Sequence, residues 1–228
     1  MENYFVIGGS SGIGKEIVSQ LLADGHMVYA TFNENETSMS GAEFSRLNVL
    51  EDDMQIPEVE SLDGLVYCPG SINLKPFHRI KPEAFVDDFN LQVVGAIKAA
   101  QAALPLLKKG TNPSIVLFST VAVQSGFPFH SQVAASKGAL EGLTRALAAE
   151  FAPTIRVNCI APSITDTPLA ERLLSSDEKR EANAQRHPLK EIGNPDDIAH
   201  TATFLLSPKA KWITGQILHV DGGMSSIK

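Results

Sequence analysis

A chain of 228 residues, 43% hydrophobic and 20% charged, has the length and apolar content to bury a full core as one α/β domain. Its formal net charge of −7, with no cluster of lysine or arginine, argues against nucleic acid and anionic membrane surfaces as main partners. No apolar run reaches the roughly 18 residues of a membrane span, and the N-terminus carries no basic n-region with a cleavage site, so a cytoplasmic protein is expected. Cys68 and Cys159 lie apart from any His/Cys cluster, which predicts two buried thiols and no metal site.

The first apolar run, Tyr4 to Ile7, leads into Gly8-Gly9-Ser10-Ser11-Gly12-Ile13-Gly14 and then into Ile17, Val18, Leu21 and Leu22 at helical spacing, with Gly25 as a stop. That order predicts strand, phosphate loop and helix. Gly8, Gly12 and Gly14 fall where a tight turn, close ligand approach and close helix–strand packing each exclude a Cβ. The free N–H groups at the helix start then suit a pyrophosphate over Ser10 to Ile13. A glycine-serine turn alone is weak evidence; its place between strand and helix carries the reading.

Met27 to Thr31 reads as a second strand, and the polar stretch Asn33 to Ser40 is too short and too poor in apolar residues for a long helix. Phe44 to Val49 and Leu62 to Tyr67 read as strands three and four. From Pro82 one long helix is expected to Lys109, carrying Phe85, Phe89, Val93, Val94, Ile97 and Leu104. Ile115 to Phe118 is a fifth strand, Ser131 to Phe151 a helix, and Ile155 to Ile160 a sixth strand with the near-continuous apolar run of a sheet buried on both faces. Residues 166–190 are polar and helical in pattern, as a mobile lid over a substrate would be. A helix from Pro195 to Leu206 and a strand Ile217 to Val220 close the chain. The alternation implies a single-domain, Rossmann-type doubly wound parallel sheet of about seven strands, with its ligand at the carboxyl ends of the strands. Gly138 and Gly142 cost the helix about 1 kcal/mol each relative to alanine, so close packing is expected on their face.

Several separated motifs resemble the short-chain dehydrogenase/reductase family across essentially the whole chain. They are Gly8 to Gly14, Asn90-Leu91, Ser136-Lys137 with Gly142 to Leu147, Arg156-Val157-Asn158, Pro162 to Thr167, Gly193 to Ala199, and Thr214-Gly215 with Asp221-Gly222-Gly223. The resemblance implies an NAD(P)-dependent oxidoreductase. In that family a tyrosine four residues before the lysine moves the proton, a serine thirteen before the tyrosine binds the carbonyl oxygen, and the lysine holds the nicotinamide ribose. Here Lys137 is present, the tyrosine position is Val133, and the serine position is Thr120, whose hydroxyl can still donate. Asn90, as the family's helix asparagine, is expected to hold a water that feeds the lysine. The divergent enoyl-acyl-carrier-protein reductases place their tyrosine seven before the lysine, where this chain has His130. An imidazole there could act as general acid or base; equally, His130 could merely start the helix after Pro128.

For the cofactor, the resemblance implies contacts from the glycine loop, Asn48 and Val49, the Ile164 to Thr167 loop, and Gly70, the glycine that lets the adenosine approach. Strand two ends in Thr31-Phe32-Asn33 rather than an acidic residue, which removes repulsion against a 2′-phosphate. No arginine stands in that stretch, so NADP is only slightly favoured over NAD, with Ser10, Ser11 or Asn33 supplying the contacts. Two classes of function follow: hydride transfer with a small carbonyl, alcohol or activated alkene, or a catalytically inactive dinucleotide-binding sensor or scaffold. Retention of Lys137 favours the first and Val133 the second. A homo-oligomer, tetramer or dimer, is expected through the helix near 134–149 and the strand near 217–220.

Overall fold

Each apolar run followed by a helical pattern becomes one strand and one crossover. The computed structural model describes residues 1–227. Its strands β1 (Asn3–Ile7), β2 (Met27–Phe32), β3 (Ala42–Arg46), β4 (Gly64–Tyr67), β5 (Ser114–Phe118), β6 (Arg156–Pro162) and β7 (Ile217–Val220) form one sheet in the order β3-β2-β1-β4-β5-β6-β7. Every pairing is parallel. The chain steps outward from β1 to β3 and returns to β4 beside β1, so the direction of winding reverses between β1 and β4. A ligand crevice opens at such a switch.

Alternate residues of each strand face opposite layers. Phe5, Ile7, Leu65, Tyr67, Ile115 and Leu117 pack with α3 (Gly95–Leu107) and α5 (Ser131–Phe151) on one side. Tyr4, Val6, Val66, Val116 and Ile160 pack with α1 (Gly12–Ala23) and α7 (Pro195–Leu206) on the other. Because both faces are covered, β4 and β5 are buried along their whole length and β1 in all but Asn3.

Three elements differ from the expectation. The third strand was expected at 44–49, but it spans Ala42–Arg46, paired in register from Val28↔Ala42 to Phe32↔Arg46. Leu47 and Val49 then leave the sheet and turn into the core, where the Val49 Cβ lies 3.4 Å from where a Cβ of Gly95 would stand. The long helix expected from Pro82 divides into α2 (Pro82–Phe89), a π-turn (Asn90–Val94) and α3. One added residue in the π-turn shifts the helical phase. A short helix, α4 (Val121–Ser125), follows β5 where none was read.

Residues 166–190 hold a 3₁₀ segment (Pro168–Leu173) and α6 (Asp177–Ala184). An isolated parallel bridge, Thr165↔Gly193, joins the two ends of this excursion. Arg180 on α6 makes a bidentate pair with Asp166 at 2.7 and 2.9 Å, which holds the Asp166 carboxyl below its ordinary range. Among the described residues no helix is long and apolar enough to cross a membrane.

Candidate active site

The glycine loop after β1 is built as a cradle. Ser11 is the N-cap of α1 in an extended conformation and makes no side-chain cap bond, and no acidic residue stands in the first turn. The N–H groups of that turn therefore have no intrahelical partner and face the crevice with the positive end of the helix dipole. Gly12 has φ +51°, and a Cβ on it would stand 3.3 Å from the Thr167 side chain, so the loops after β1 and β6 meet there. A Cβ on Gly14 would overlap the Gly8 carbonyl oxygen, so only glycine lets the helix sit this close to its strand. These free donors and missing Cβ atoms fit a pyrophosphate.

At the far end of this crevice the sequence expectations need correction. Asn33 is exposed, and its carbonyl accepts a hydrogen bond of 3.2 Å from Nε of Arg46. The register of β3 against β2 thus supplies the arginine missing from the strand-two stretch itself. Asn48 is engaged locally: its Oδ1 accepts from the Leu50 N–H at 3.1 Å and its Nδ2 donates to Glu51 at 3.2 Å. The Val49 side chain is core, which leaves only its backbone for a ligand. Gly70 lies beside the lysine: a Cβ there would stand 3.5 Å from Lys137 Nζ and 3.3 Å from Gln92 Oε1.

A cavity of about 240 Å³ continues from the glycine loop across the carboxyl ends of β4, β5 and β6, and Thr120, His130, Val133, Lys137, Ile164 and Thr167 all line it. Lys137 is buried, and that burial pulls its ammonium down to about 8, opposed by the nearby Cys159, Asp88 and Cys68. Thr120 caps α4 with its Oγ1 accepting from the Ala122 N–H at 3.3 Å, so its own hydrogen is free to donate. His130 is the residue before the first turn of α5, and its Nδ1 lies 2.7 Å from the Pro128 carbonyl. A carbonyl only accepts, so Nδ1 carries the hydrogen and Nε2 is left open. The ring stands edge-on to Phe127 with centroids 5.5 Å apart.

His130 and Val133 both line the cavity. Asn90 does not: its side chain is exposed at the start of the π-turn, and its carbonyl accepts from the Gly95 N–H. The bulge brings Gln92 inward instead, fully buried, with Nε2 donating to Asp88 at 2.8 Å and Oε1 without a protein partner. Asp88 also accepts from Ser136 at 2.6 Å and from Ser71. The cavity lining includes no tyrosine. Tyr67 gives its hydrogen to the Leu91 carbonyl at 2.6 Å inside the core, and Tyr4 gives its own to Glu2.

Sequence reasoning also missed His187 and Ser163, which line the same cavity 2.8 Å apart. No periodicity pairs residues so far apart in the chain. Of the two thiols expected to be buried, Cys159 is and Cys68 is half-buried; burial pushes both up to about 12, which disfavours their thiolates at neutral pH. Among the described residues no group of three His, Cys, Asp or Glu could hold a metal ion.

A family model described as enoyl-(acyl carrier protein) reductase matches residues 8–225. A tropinone reductase homolog of Arabidopsis thaliana is 33% identical over 239 residues, covering 96% of this chain and 78% of its own. The chain belongs to the short-chain dehydrogenase/reductase family. Within that family of NAD(P)-dependent oxidoreductases, the inactive 2-(S)-hydroxypropyl-CoM dehydrogenase 2 of Xanthobacter autotrophicus is 37% identical over 171 residues, covering 73% of this chain and 74% of its own. The structure of ElxO with NADP bound superimposes with a TM-score of 0.90 at 27% identity, covering 99% of this chain and all of the other.

Proposed function

We propose that this short-chain dehydrogenase/reductase is an active enzyme with an atypical proton donor, working on a small carbonyl, alcohol or activated alkene. The observation that carries this reading is Lys137, kept buried in the cavity at about 8 despite the cost of an ammonium there, and sharing the cavity wall with Thr120 and His130. A protein that only bound a dinucleotide would need the glycine loop more than this lysine. A nicotinamide dinucleotide, when bound, supplies the hydride donor or acceptor. Lys137 would hold the ribose hydroxyls, Ile164 and Thr167 would border the nicotinamide, and Thr120 would donate to the substrate oxygen. His130 Nε2 would pass the proton, because Val133 has none to give. The orphaned Gln92 Oε1 beside Lys137 suits a bound water, the part assigned from sequence to Asn90.

Arg46 beside Asn33 favours NADP, since a guanidinium matches a 2′-phosphate with two donors. Residues 166–190 would act as the lid, as their walls of Leu169, Ala170 and Leu173 border the cavity. We place the protein in the cytoplasm as a homo-oligomer; its two free cysteines suit a reducing compartment.

The second reading, a nucleotide sensor or scaffold without turnover, is favoured by Val133 in the cavity wall. Fluorescence titration with NADPH and NADH, followed by a screen of carbonyl substrates, separates the two. Micromolar binding with turnover supports the enzyme, and binding without any turnover supports the sensor.

A further inference from the structure

His187 is 2% exposed, yet the hydride-transfer scheme gives it no task. Its Nδ1 lies 2.9 Å from the Asn183 carbonyl near the end of α6, and its Nε2 lies 2.8 Å from Ser163 Oγ. Since a carbonyl can only accept, Nδ1 carries the hydrogen, and in the neutral ring Nε2 must accept. The Ser163 hydroxyl therefore spends its only hydrogen on His187. Its remaining lone pairs belong to an oxygen of the half-buried cavity wall, just past the end of β6. A structural clamp would use the hydrogen alone; the position in the wall leaves an acceptor for a ligand.

Thr120 has the opposite polarity. Its oxygen accepts from the Ala122 N–H, so toward the cavity it donates. The β5–β6 register runs to Phe118↔Ile160 and is extended by the Ser119 N–H bond to the Ile160 carbonyl at 2.7 Å. The register continues to Thr120 opposite Pro162, so Thr120 and Ser163 stand on neighbouring strand ends offset by one residue, roughly 6 Å apart along the backbone. A ligand that satisfies both needs an oxygen acceptor and a hydroxyl or amine donor on adjacent or next-but-one carbons.

We infer that Ser163, its polarity set by His187, selects hydroxy-carbonyl compounds: the carbonyl meets Thr120 and the neighbouring hydroxyl donates to Ser163 Oγ. The inference rests on the proposed hydride transfer and names its substrate class. A bound ligand without the hydroxyl covers the half-buried Ser163 acceptor and leaves it unpaired, which is how a polar wall rejects a deoxy analogue.

Hydroxyacetone and 2-butanone have equal numbers of heavy atoms and test this directly. With NADPH, the wild-type kcat/KM is expected to favour hydroxyacetone by about tenfold or more, the size of one hydrogen bond plus the unpaired acceptor. Ser163→Ala should bring the pair to within about twofold, chiefly through KM. 2-Butanone turnover and NADPH affinity should stay near wild type, and Ser163→Thr, which keeps the hydroxyl, should restore the preference. Independently of turnover, titration with 1,2-propanediol should move the ¹⁵N signals of the His187 ring in the wild type but not in Ser163→Ala. Equal wild-type values, or a preference that survives Ser163→Ala, overturn the inference while hydride transfer stands. If NADPH does not bind and neither compound turns over, hydride transfer itself fails. The diol titration then decides the acceptor: a moving ring signal supports it and a still one overturns it.

Discussion

At the scale of single residues, the site is a balance between stability and chemistry. Lys137 has a folded value near 8 against about 10.5 when unfolded, so between these pH values the unfolded chain holds more protons. The penalty is therefore fully present below about pH 8 and is lost as pH rises toward 10.5. Lys137→Met should stabilise the fold at pH 7 by on the order of 3 kcal/mol, the worth of that shift, and abolish turnover. Calorimetric scans at pH 7 and pH 10 check it: the gain must shrink at the higher pH. His130→Ala should slow turnover by a factor of about 10² to 10⁴ with NADPH affinity unchanged, measured by steady-state kinetics beside titration. Full activity in that variant would remove His130 from the mechanism. That Lys137, Thr120 and His130 line one cavity was legible in sequence, because a helix fixes the spacing of two of them and a strand end that of the third. Gln92 was not, because a π-turn changes which residues face inward without changing the hydrophobic pattern. Arg46 was hidden for a different reason, since it reaches Asn33 only through a strand register.

Elements with strong end signals were readable to the residue. α7 begins at the Asn194 capping box followed by Pro195, and α5 follows the irregular backbone around Phe129. β3 shifted because cross-strand register outweighs local apolar content at an edge strand. The end of α7 depends on a residue outside it: buried Arg156 donates to the carbonyls of Leu205, Leu206, Ser207 and Ala210. Arg156→Met leaves these acceptors unpaired and should cost about 3 kcal/mol, lowering the melting temperature by roughly 6–12 °C. NADPH affinity should be unaffected, because α7 packs on the sheet away from the cavity; calorimetry and titration together test this. Gly12→Val, by contrast, adds bulk against Thr167 at a positive φ and should weaken NADPH binding at least tenfold, read by the same titration.

For the whole molecule, the mid-helix glycines find no reason within one chain. A Cβ on Gly142 would meet nothing within 4 Å, and one on Gly138 only an ordinary contact with Val123 at 3.6 Å. Trp212, 96% exposed, and the partly exposed Phe204 leave further apolar surface near β7. Light scattering should therefore give a multiple of the 24.5 kDa chain mass. Gly142→Leu separates the cases: in a lone chain it stabilises the helix by about 1 kcal/mol, whereas at a packed interface it produces smaller species. The parallel, doubly wound sheet of seven strands was readable from the alternation of elements, but association is a property of surfaces that periodicity does not describe.

The Thr165↔Gly193 bridge means that the segment between them leaves and rejoins the body at one point. Its length is consequently uncoupled from the sheet. Insertion, deletion or exchange within 169–186, beyond the Thr167 and Pro168 side chains that meet Gly12, would strain neither the glycine loop nor Lys137, and a protease cut near Ser175 would leave both new ends tied to the body. The chain thus keeps most of the wall that would meet a substrate apart from the glycine loop and Lys137: the part of the excursion beyond Pro168 can be exchanged while both stay in place.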